Sequence, residues 1–350
     1  MAERDRKVEH IRICTTQDVQ FKDKHTGFED IDLVYDALPE MKLSEVDSRT
    51  TFLGHEFAAP LMVSGMTGGT AIAKQINKDI AAACEELGLG MGLGSQRRMV
   101  EAPALTETYY VRDVAPTIFL AGNLGATQAR QYALDVIEKM LEDVGANALA
   151  IHLNPGQEAV QPEGMPDFKG CLKTIDLLAR RLQVPVYVKE VGHGLAREAV
   201  QRLAHTKIKA VDVAGAGGTS WIGVDSLRGK KEVGQTFWDF GVPTAAALLE
   251  ARQAWKGPLI ASGGIRSGLD VVKALAMGAS LGELAQPVIK AQSEGGREGV
   301  KKLLSRLVEE IRIGMFLVGA KDVKSLKQKK FIVYSGRLRE WLDQRKTKYS

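Results

Sequence analysis

Residues 258–285 read PLIASGGIRSGLDVVKALAMGASLGELA, and this stretch decides the fold. An apolar run from Pro258 to Gly264 stops at two glycines. From Gly268 to Met277 the apolar residues Leu269, Val272 and Leu275 recur every third position, which is helical spacing. A second apolar run follows, from Ala279 to Ala285. Strand, tight turn, helix, strand is a βαβ unit, and its two strands must lie parallel.

The same pattern recurs on the N-terminal side. Apolar runs lie at Ala59–Met66, Leu87–Ser95, Thr117–Asn123, Ala148–Asn154, Val184–Val191 and Ala210–Gly215. The run at Leu87–Ser95 is the richest in glycine and the weakest strand former. Helical periodicity lies between most of them, over Ile72–Leu87, Ala129–Val144, Lys169–Arg181, Leu195–Ala204 and Thr244–Trp255. Eight strands at this spacing predict an α/β fold closed as a (β/α)8 TIM barrel, with an open doubly wound sheet as the alternative. The 350 residues suit one large barrel as well as two domains. We divide the chain into an N-terminal extension (1–57), a barrel (58–320) and a basic C-terminal segment (321–350), with a helix expected over Gly299–Gly319. The connection Gly215–Gly241 is long for a βα loop and reads as a lid over the mouth.

Composition narrows the function. Apolar residues make up 45% and charged residues 26%, which supports a large core. The net charge of +4 is uneven: from Lys301 onward there are 14 Lys or Arg against 5 Asp or Glu, so the first 300 residues are net negative. With aromatics at 6% and no recognition motif, this basic segment reads as a solvated face rather than a nucleic-acid site. The three cysteines, Cys14, Cys84 and Cys171, fit no metal-ligand spacing and point to a reducing compartment. No signal-peptide pattern and no membrane-length apolar run is present, so the expected location is the cytoplasm.

Functional groups gather where strands end, the catalytic end of such a barrel. Ala261–Ser267, ASGGIRS, offers backbone N–H groups and a following helix N-terminus to a phosphate, with Gly263, Gly264 and Arg266 in the turn and Ala285 ending the eighth run. Ser64–Thr70, SGMTGGT, lets backbone pass close to a flat ring at Met66, Thr67 and Gly68. Asn123 and Lys189 end the third and fifth runs, and Thr219 and Ser220 offer hydroxyls. These residues suit FMN, with Lys189 beside the ring edge that turns negative on reduction; a sugar phosphate suits the same cradle. His152 and Asn154 share one face of the fourth run, with Gln157 and Glu158 just above, and Glu158 is a candidate Mg2+ ligand. Arg6 and Lys7 in the extension and Arg97 after the second run add positive charge suited to a diphosphate.

Seven motifs, in order, carry a family resemblance: RKVEHIRIC from Arg6, MTGG from Met66, GSQR from Gly94, HLNPGQE from His152, KEVGHG from Lys189, AGAGGTSW from Ala214 and SGGIRSGLD from Ser262. The chain resembles the type 2 isopentenyl-diphosphate isomerases over at least Arg6 to Pro287. The resemblance implies a (β/α)8 barrel that interconverts isopentenyl and dimethylallyl diphosphate with reduced FMN and Mg2+, with NADPH able to supply the reduction. It implies FMN contacts at Thr67, Ser95, Asn123, Lys189, Thr219, Ser220, the Gly263–Arg266 turn and Ala285. It implies substrate contacts at Arg6, Lys7, Arg97, His152, Asn154 and Gln157, magnesium at Glu158, and a homo-oligomer of four or more chains. Gln157, His152 and Asn154 are then the catalytic candidates. An amide has no useful pKa for base work, so Gln157 is expected to position or relay a proton while the flavin takes the acid role.

Three other readings stay open on the residues alone. An FMN barrel oxidoreductase of a small hydroxy acid needs a histidine near an arginine after the seventh strand, where SGGIRSG holds Arg266 without one. An aldolase-like barrel would use Lys189 as a Schiff base. A non-catalytic interaction protein would use the basic C-terminal region and would not gather polar residues at one mouth.

Overall fold

A computed structural model describes residues 6–328 and 332–349. Residues 1–5, 329–331 and 350, which include part of the charged N-terminus and of the basic C-terminal segment, lie outside the described residues. The eight apolar runs form β1 (Leu61–Val63), β2 (Gly90–Gly92), β3 (Leu120–Gly125), β4 (Ala148–Leu153), β5 (Val186–Glu190), β6 (Ala210–Asp212), β7 (Leu259–Ser262) and β8 (Leu281–Leu284). Each strand pairs in parallel with the next, and β8 pairs with β1, so the sheet closes into a barrel. An open sheet is thereby excluded.

The strands are buried on both faces, as parallel strands under a helical layer must be. Outward residues such as Leu61, Val63, Leu149, Val188 and Val211 pack under the helices in one large core. Inward residues Met62, Ala121, Ala150, Tyr187, Ile260 and Leu281 fill the barrel. A hairpin of the extension, Thr50–Phe52 with His55–Phe57, plugs the N-terminal end. Phe52 and Phe57 lie 5.6 and 5.7 Å from Phe119, which seals the floor with edge and tilted ring contacts.

The opposite end is covered by the first part of the extension. Helix Arg6–Thr16 packs on helix Trp221–Gly229 through Ile13, Cys14 and Val224, with Val19 just beyond the first helix joining the cluster. Phe21 N–H donates to the Gly218 carbonyl and Ser220 N–H to the Val19 carbonyl, so residues 19–21 run beside 218–220 like a short strand pair. The extension also pairs Ile31–Leu33 antiparallel with Ile332–Tyr334 from the far end of the chain.

Four local readings change. Gly215–Gly241 is not a bare loop: Ser220 caps helix Trp221–Gly229, and a short helix Val233–Thr236 follows. The span Ala129–Val144 is broken into Ala126–Ala129 and Leu134–Glu142, because β3 runs on to Gly125 and leads straight into a short turn of helix. The helix expected over Gly299–Gly319 begins earlier, at Gln286, and reaches Leu317, interrupted where Gly295 and Gly296 leave helical geometry. The basic C-terminal segment is not simply solvated. Its helix Gly336–Gln344 buries Leu338 and Leu342, while Trp341 and Arg345 donate to the buried Glu250 carboxylate at 3.0 and 2.9 Å. No helix among the described residues is long and apolar enough to cross a membrane.

Candidate active site

Strand register builds the site. His152 of β4 is the partner of Lys189 of β5, and Lys189 is the partner of Asp212 of β6. On the next two strands, Ser262 of β7 is the partner of Glu283 of β8. The C-terminal ends of five adjacent strands therefore present a histidine, a lysine, a serine and two acids to one mouth.

Lys189 Nζ donates to the Glu190 carbonyl at 2.9 Å and lies 3.4 Å from Asp212 Oδ2. Asp212 Oδ1 accepts from Ser262 Oγ at 2.7 Å and from the Ala214 N–H at 3.2 Å. Burial disfavours the Lys189 ammonium, but Asp212 and Glu283 more than offset it and hold its pKa above the ordinary lysine value. Burial raises Asp212 in spite of Lys189. Burial, then the charge of Asp212, pushes Glu283 up to about 7.

Above this floor lies a cleft of about 810 Å3. Its walls include Ser64, Met66 and Thr67 after β1, Lys189, Thr219, Gly263, Gly264 and Arg266 after β7, Glu283, and Ala285 and Gln286 after β8. The buried Thr67 Oγ1 has no hydrogen-bond partner among the described residues. Gly263 and Gly264 sit at φ +95° and +72°. A Cβ on Gly263 would lie 2.0 Å from the Gly215 carbonyl oxygen, and one on Gly264 2.3 Å from Thr26 Cγ2. No other residue fits this turn. Arg266 is held by Gln20 of the extension, which accepts from its guanidinium at 2.7 Å.

The helix expected to offer its N-terminus to a phosphate is already capped. Ser267 Oγ accepts from the Asp270 N–H, and the Asp270 carboxylate accepts from Arg266 N–H and Ser267 N–H, both at 3.0 Å. The helix that opens onto the cleft is the next one, Gln286–Leu317, whose N-cap Ala285 makes no side-chain cap.

A second cleft, of about 910 Å3, adjoins the first and shares Lys7, His10, Ser64, Met66, Lys189 and Trp221 with it. Arg6, Ser95, Arg97, Asn123, His152, Asn154, Gln157 and Glu158 line it. His152 Nδ1 lies 2.8 Å from Asn123 Oδ1. Asn154 Nδ2 donates to Gln157 Oε1 at 3.0 Å and to Glu158 Oε1 at 3.2 Å. Glu158 Oε2 also accepts from Gln161 Nε2 at 2.6 Å and from the Met165 N–H at 2.7 Å. Burial, then Lys189, Lys7 and Arg6, drive His152 down to about 3, so its imidazole is neutral in this cleft. Arg97 reaches Glu101 at 2.6 Å, and Arg6 lies 3.6 Å from Glu163.

Two residues named from sequence stand apart. Ser220 lies outside both clefts: its hydroxyl donates to the Trp238 carbonyl at 2.7 Å and accepts from the Gly223 N–H at 3.1 Å, capping its helix. Gly68 also lines neither cleft, and a Cβ there would strike the Tyr109 ring at 1.9 Å.

Sequence reasoning missed Asp225. Its carboxylate accepts from Gln157 Nε2 at 2.8 Å and from Arg228 Nε at 2.7 Å, and lies 3.0 Å from His10 Nε2. Burial works against this charge, but His10, then Arg228 and Gln157, hold the carboxyl below its ordinary range. The signal was present: Asp225 falls four residues after Trp221, one helical turn along the same face. His10, within RKVEHIRIC, also packs edge-on against Trp221 at 5.2 Å.

Comparison with known proteins adds three findings. A model of the FMN-dependent dehydrogenase family matches residues 4–154 and 136–333. A protein of Pyrococcus furiosus named isopentenyl-diphosphate delta-isomerase is 46% identical over 97% of this chain and 89% of its own length. One of the same name from Methanosarcina mazei is 44% identical over 97% of this chain and 94% of its own. Among solved structures, a flavocytochrome b2 mutant with sulfite bound superposes with TM-score 0.71 at 21% identity, covering 93% of this chain and 83% of the other. A mandelate oxidase mutant with a monooxide FMN adduct gives 0.63 at 18%, covering 93% and 92%. At those identities the structural likeness speaks for the barrel alone.

Proposed function

The chain belongs to the FMN-dependent dehydrogenase family and, within it, to the isopentenyl-diphosphate delta-isomerases, and on that footing we propose how its two clefts divide the work. FMN occupies the first cleft and the diphosphate substrate the second. The observation that carries this is their continuity: Lys189 and Met66 wall both spaces, so a ring in one meets a substrate in the other.

The residues fit the cofactor. Gly263 and Gly264 hold a turn on the cleft wall whose Cβ positions are filled by Gly215 and Thr26, the helix at Ala285 opens onto the same cleft without a side-chain cap, and the Thr67 hydroxyl awaits a partner. Thr67, Lys189, Thr219, Gly263, Gly264, Arg266 and Ala285 would hold FMN there, with Met66, Ser95 and Asn123 at the border of the second cleft. When bound and reduced, FMN supplies an electron-rich apolar face that favours positive charge developing at the substrate C3.

The chain's own groups do the rest. Lys7, Arg6 and Arg97 attract the diphosphate, and binding energy from that remote group fixes the alkene. The Gln157 amide is fixed on both sides, its Nε2 donating to Asp225 and its Oε1 accepting from Asn154. It therefore positions and does not serve as a base. Neutral His152 is aligned by Asn123. Helix Arg6–Thr16 and the Trp221–Gly229 helix shield the mouth from water, which would otherwise quench a carbocation.

Mg2+ belongs to the same proposal, at Glu158. No cluster of three or more His, Cys, Asp or Glu forms a metal cage among the described residues. A single carboxylate suits Mg2+, which keeps waters and takes further oxygens from substrate phosphates. The buried Asn154 Oδ1, without a partner among the described residues, is a second oxygen beside it. NADPH as the electron source, a cytoplasmic setting and a homo-oligomer go with this reading and rest on family membership.

The test is anaerobic conversion of isopentenyl diphosphate with FMN, Mg2+ and a reductant, beside an identical oxidised sample. Product in the reduced sample alone is the expected result. No product in either, with FMN bound, overturns the assignment of the second cleft.

A further inference from the structure

We propose that Glu283 is a positioning residue for the flavin's charge, taking up a proton when the ring is reduced so that Lys189 faces the ring without a second negative neighbour. This rests on the placement of FMN in the first cleft.

The geometry starts from burial. Glu283 is 1% exposed, lines the first cleft, and is the register partner of Ser262 on β7 and of Met62 on β1. Only the Ser64 hydroxyl stands near enough to favour its charged form, and neither oxygen meets strict hydrogen-bond geometry with a described residue. Asp212, the other acid at this floor, is placed quite differently: Ser262, the Ala214 N–H and Lys189 surround it. A buried carboxylate with one hydroxyl at most beside it is costly, so Glu283, and not the better-served Asp212, is the acid that stays neutral. Its upward shift, caused by burial and then Asp212, agrees.

Counting charge gives the consequence. With Glu283 protonated, Lys189 and Asp212 cancel and the floor is neutral. With Glu283 ionised, the floor carries one net negative charge. Two-electron reduction with uptake of one proton leaves the ring one unit more negative. An ionised Glu283 opposes that change and a protonated one does not. By reciprocity, reduction must raise the affinity of Glu283 for a proton.

Of the other ionisable groups around it, burial raises Asp212 in spite of Lys189, while Tyr187, Cys14 and His10 are each shifted away from neutrality. Tyr187, two residues before Lys189 on β5, is pushed well above its ordinary pKa by burial, then Glu283 and Asp212. Cys14, on the cleft wall, is pushed up to about 12 by burial. Burial lowers His10 in spite of Asp225. Lys7 lines the cleft from the extension, and burial lowers Arg266, in the loop after β7, in spite of Asp270. Ser64 after β1 is not ionisable.

The experiment is a dithionite titration of the FMN-loaded enzyme against a reference dye, repeated from pH 5.5 to 8.5. In the wild type the midpoint potential should fall with pH at one proton per two electrons, then steepen to two protons near neutrality. In Glu283→Gln the steep portion should be missing and the potential above neutral pH should be higher. Parallel lines for the two proteins overturn the inference. Reduced-minus-oxidised infrared spectra of the wild type at pH 8 provide a readout independent of the variant. A protonated-carboxyl band should appear on reduction, and its absence overturns the inference even where the variant does not fold. A wild-type protein that retains no FMN would instead overturn the placement of the cofactor.

Discussion

His10 Nε2 and Asp225 Oδ1 lie 3.0 Å apart although 215 residues separate them in the chain. The contact joins the helix that opens the described chain to the helix that follows β6, directly over the mouth. Asp225 also holds Gln157. One carboxylate therefore fixes both the cover and an amide inside it.

Asp225→Ala should release Gln157 and loosen the N-terminal helix together. We expect turnover to fall about a hundredfold, the usual cost of misplacing a reacting group by about an ångström. FMN content should be unchanged, since Asp225 does not line the first cleft. Steady-state kinetics beside flavin absorbance decides it, and normal turnover would remove Asp225 from the site.

Glu158→Gln should retain FMN yet weaken the response to Mg2+ by tenfold or more. A carboxamide keeps an oxygen for Gln161 and the Met165 N–H but loses the charge a hard cation needs. Mg2+ titration of initial rates is the measurement, and an unchanged half-saturation point would count against this ligand.

Ser220→Ala should cost about 1 kcal/mol of stability, the worth of an N-cap, with little change in FMN affinity. Loss of FMN without loss of stability would return Ser220 to the cofactor site. Thermal melts and flavin titration separate the two.

His152 gives a pH dependence with a definite sign. Its folded pKa lies near 3, below its ordinary 6.5, so the folded protein binds fewer protons there than the unfolded chain. Its contribution is fully present above pH 6.5 and fades as pH falls toward 3. In denaturant titrations, His152→Gln should therefore lose less stability than the wild type between pH 6.5 and 4, by a few kcal/mol. Equal acid sensitivity would mean that His152 is protonated in place.

Arg345→Ala should destabilise the fold by about 2 kcal/mol, because Glu250 is fully buried and would keep only the Arg197 N–H and Trp341 as donors. Equilibrium unfolding measures this. An unchanged midpoint would reduce the contact to surface decoration.

The barrel was legible because its strands are short apolar runs that end in glycine or a polar group, a signal local to each strand. Lys189, His152 and Gly263 were legible for the same reason: each closes such a run. What escaped is what tertiary contact alone creates. Asp225 looks like one more charge in a long connection until its helix folds back over Gln157. Glu283 sits within the apolar run LGEL, where nothing local says whether an acid will find donors. Ser220 reads as a phosphate ligand or as a helix cap with equal ease, since both uses need the same hydroxyl. The helix from Gln286 begins directly at the end of β8, and Gly295 and Gly296 interrupt the periodicity that would have announced it.

The pairing of Ile31–Leu33 with Ile332–Tyr334 sets an order of events during synthesis. The earlier segment has no strand partner until the later one leaves the ribosome. By then all eight barrel strands have been made. The buckle that ties this part of the extension to the C-terminal segment is thus fastened last, once every barrel strand exists. A polypeptide ending before Ile332 would keep every strand of the barrel yet leave Ile31–Leu33 without its strand partner.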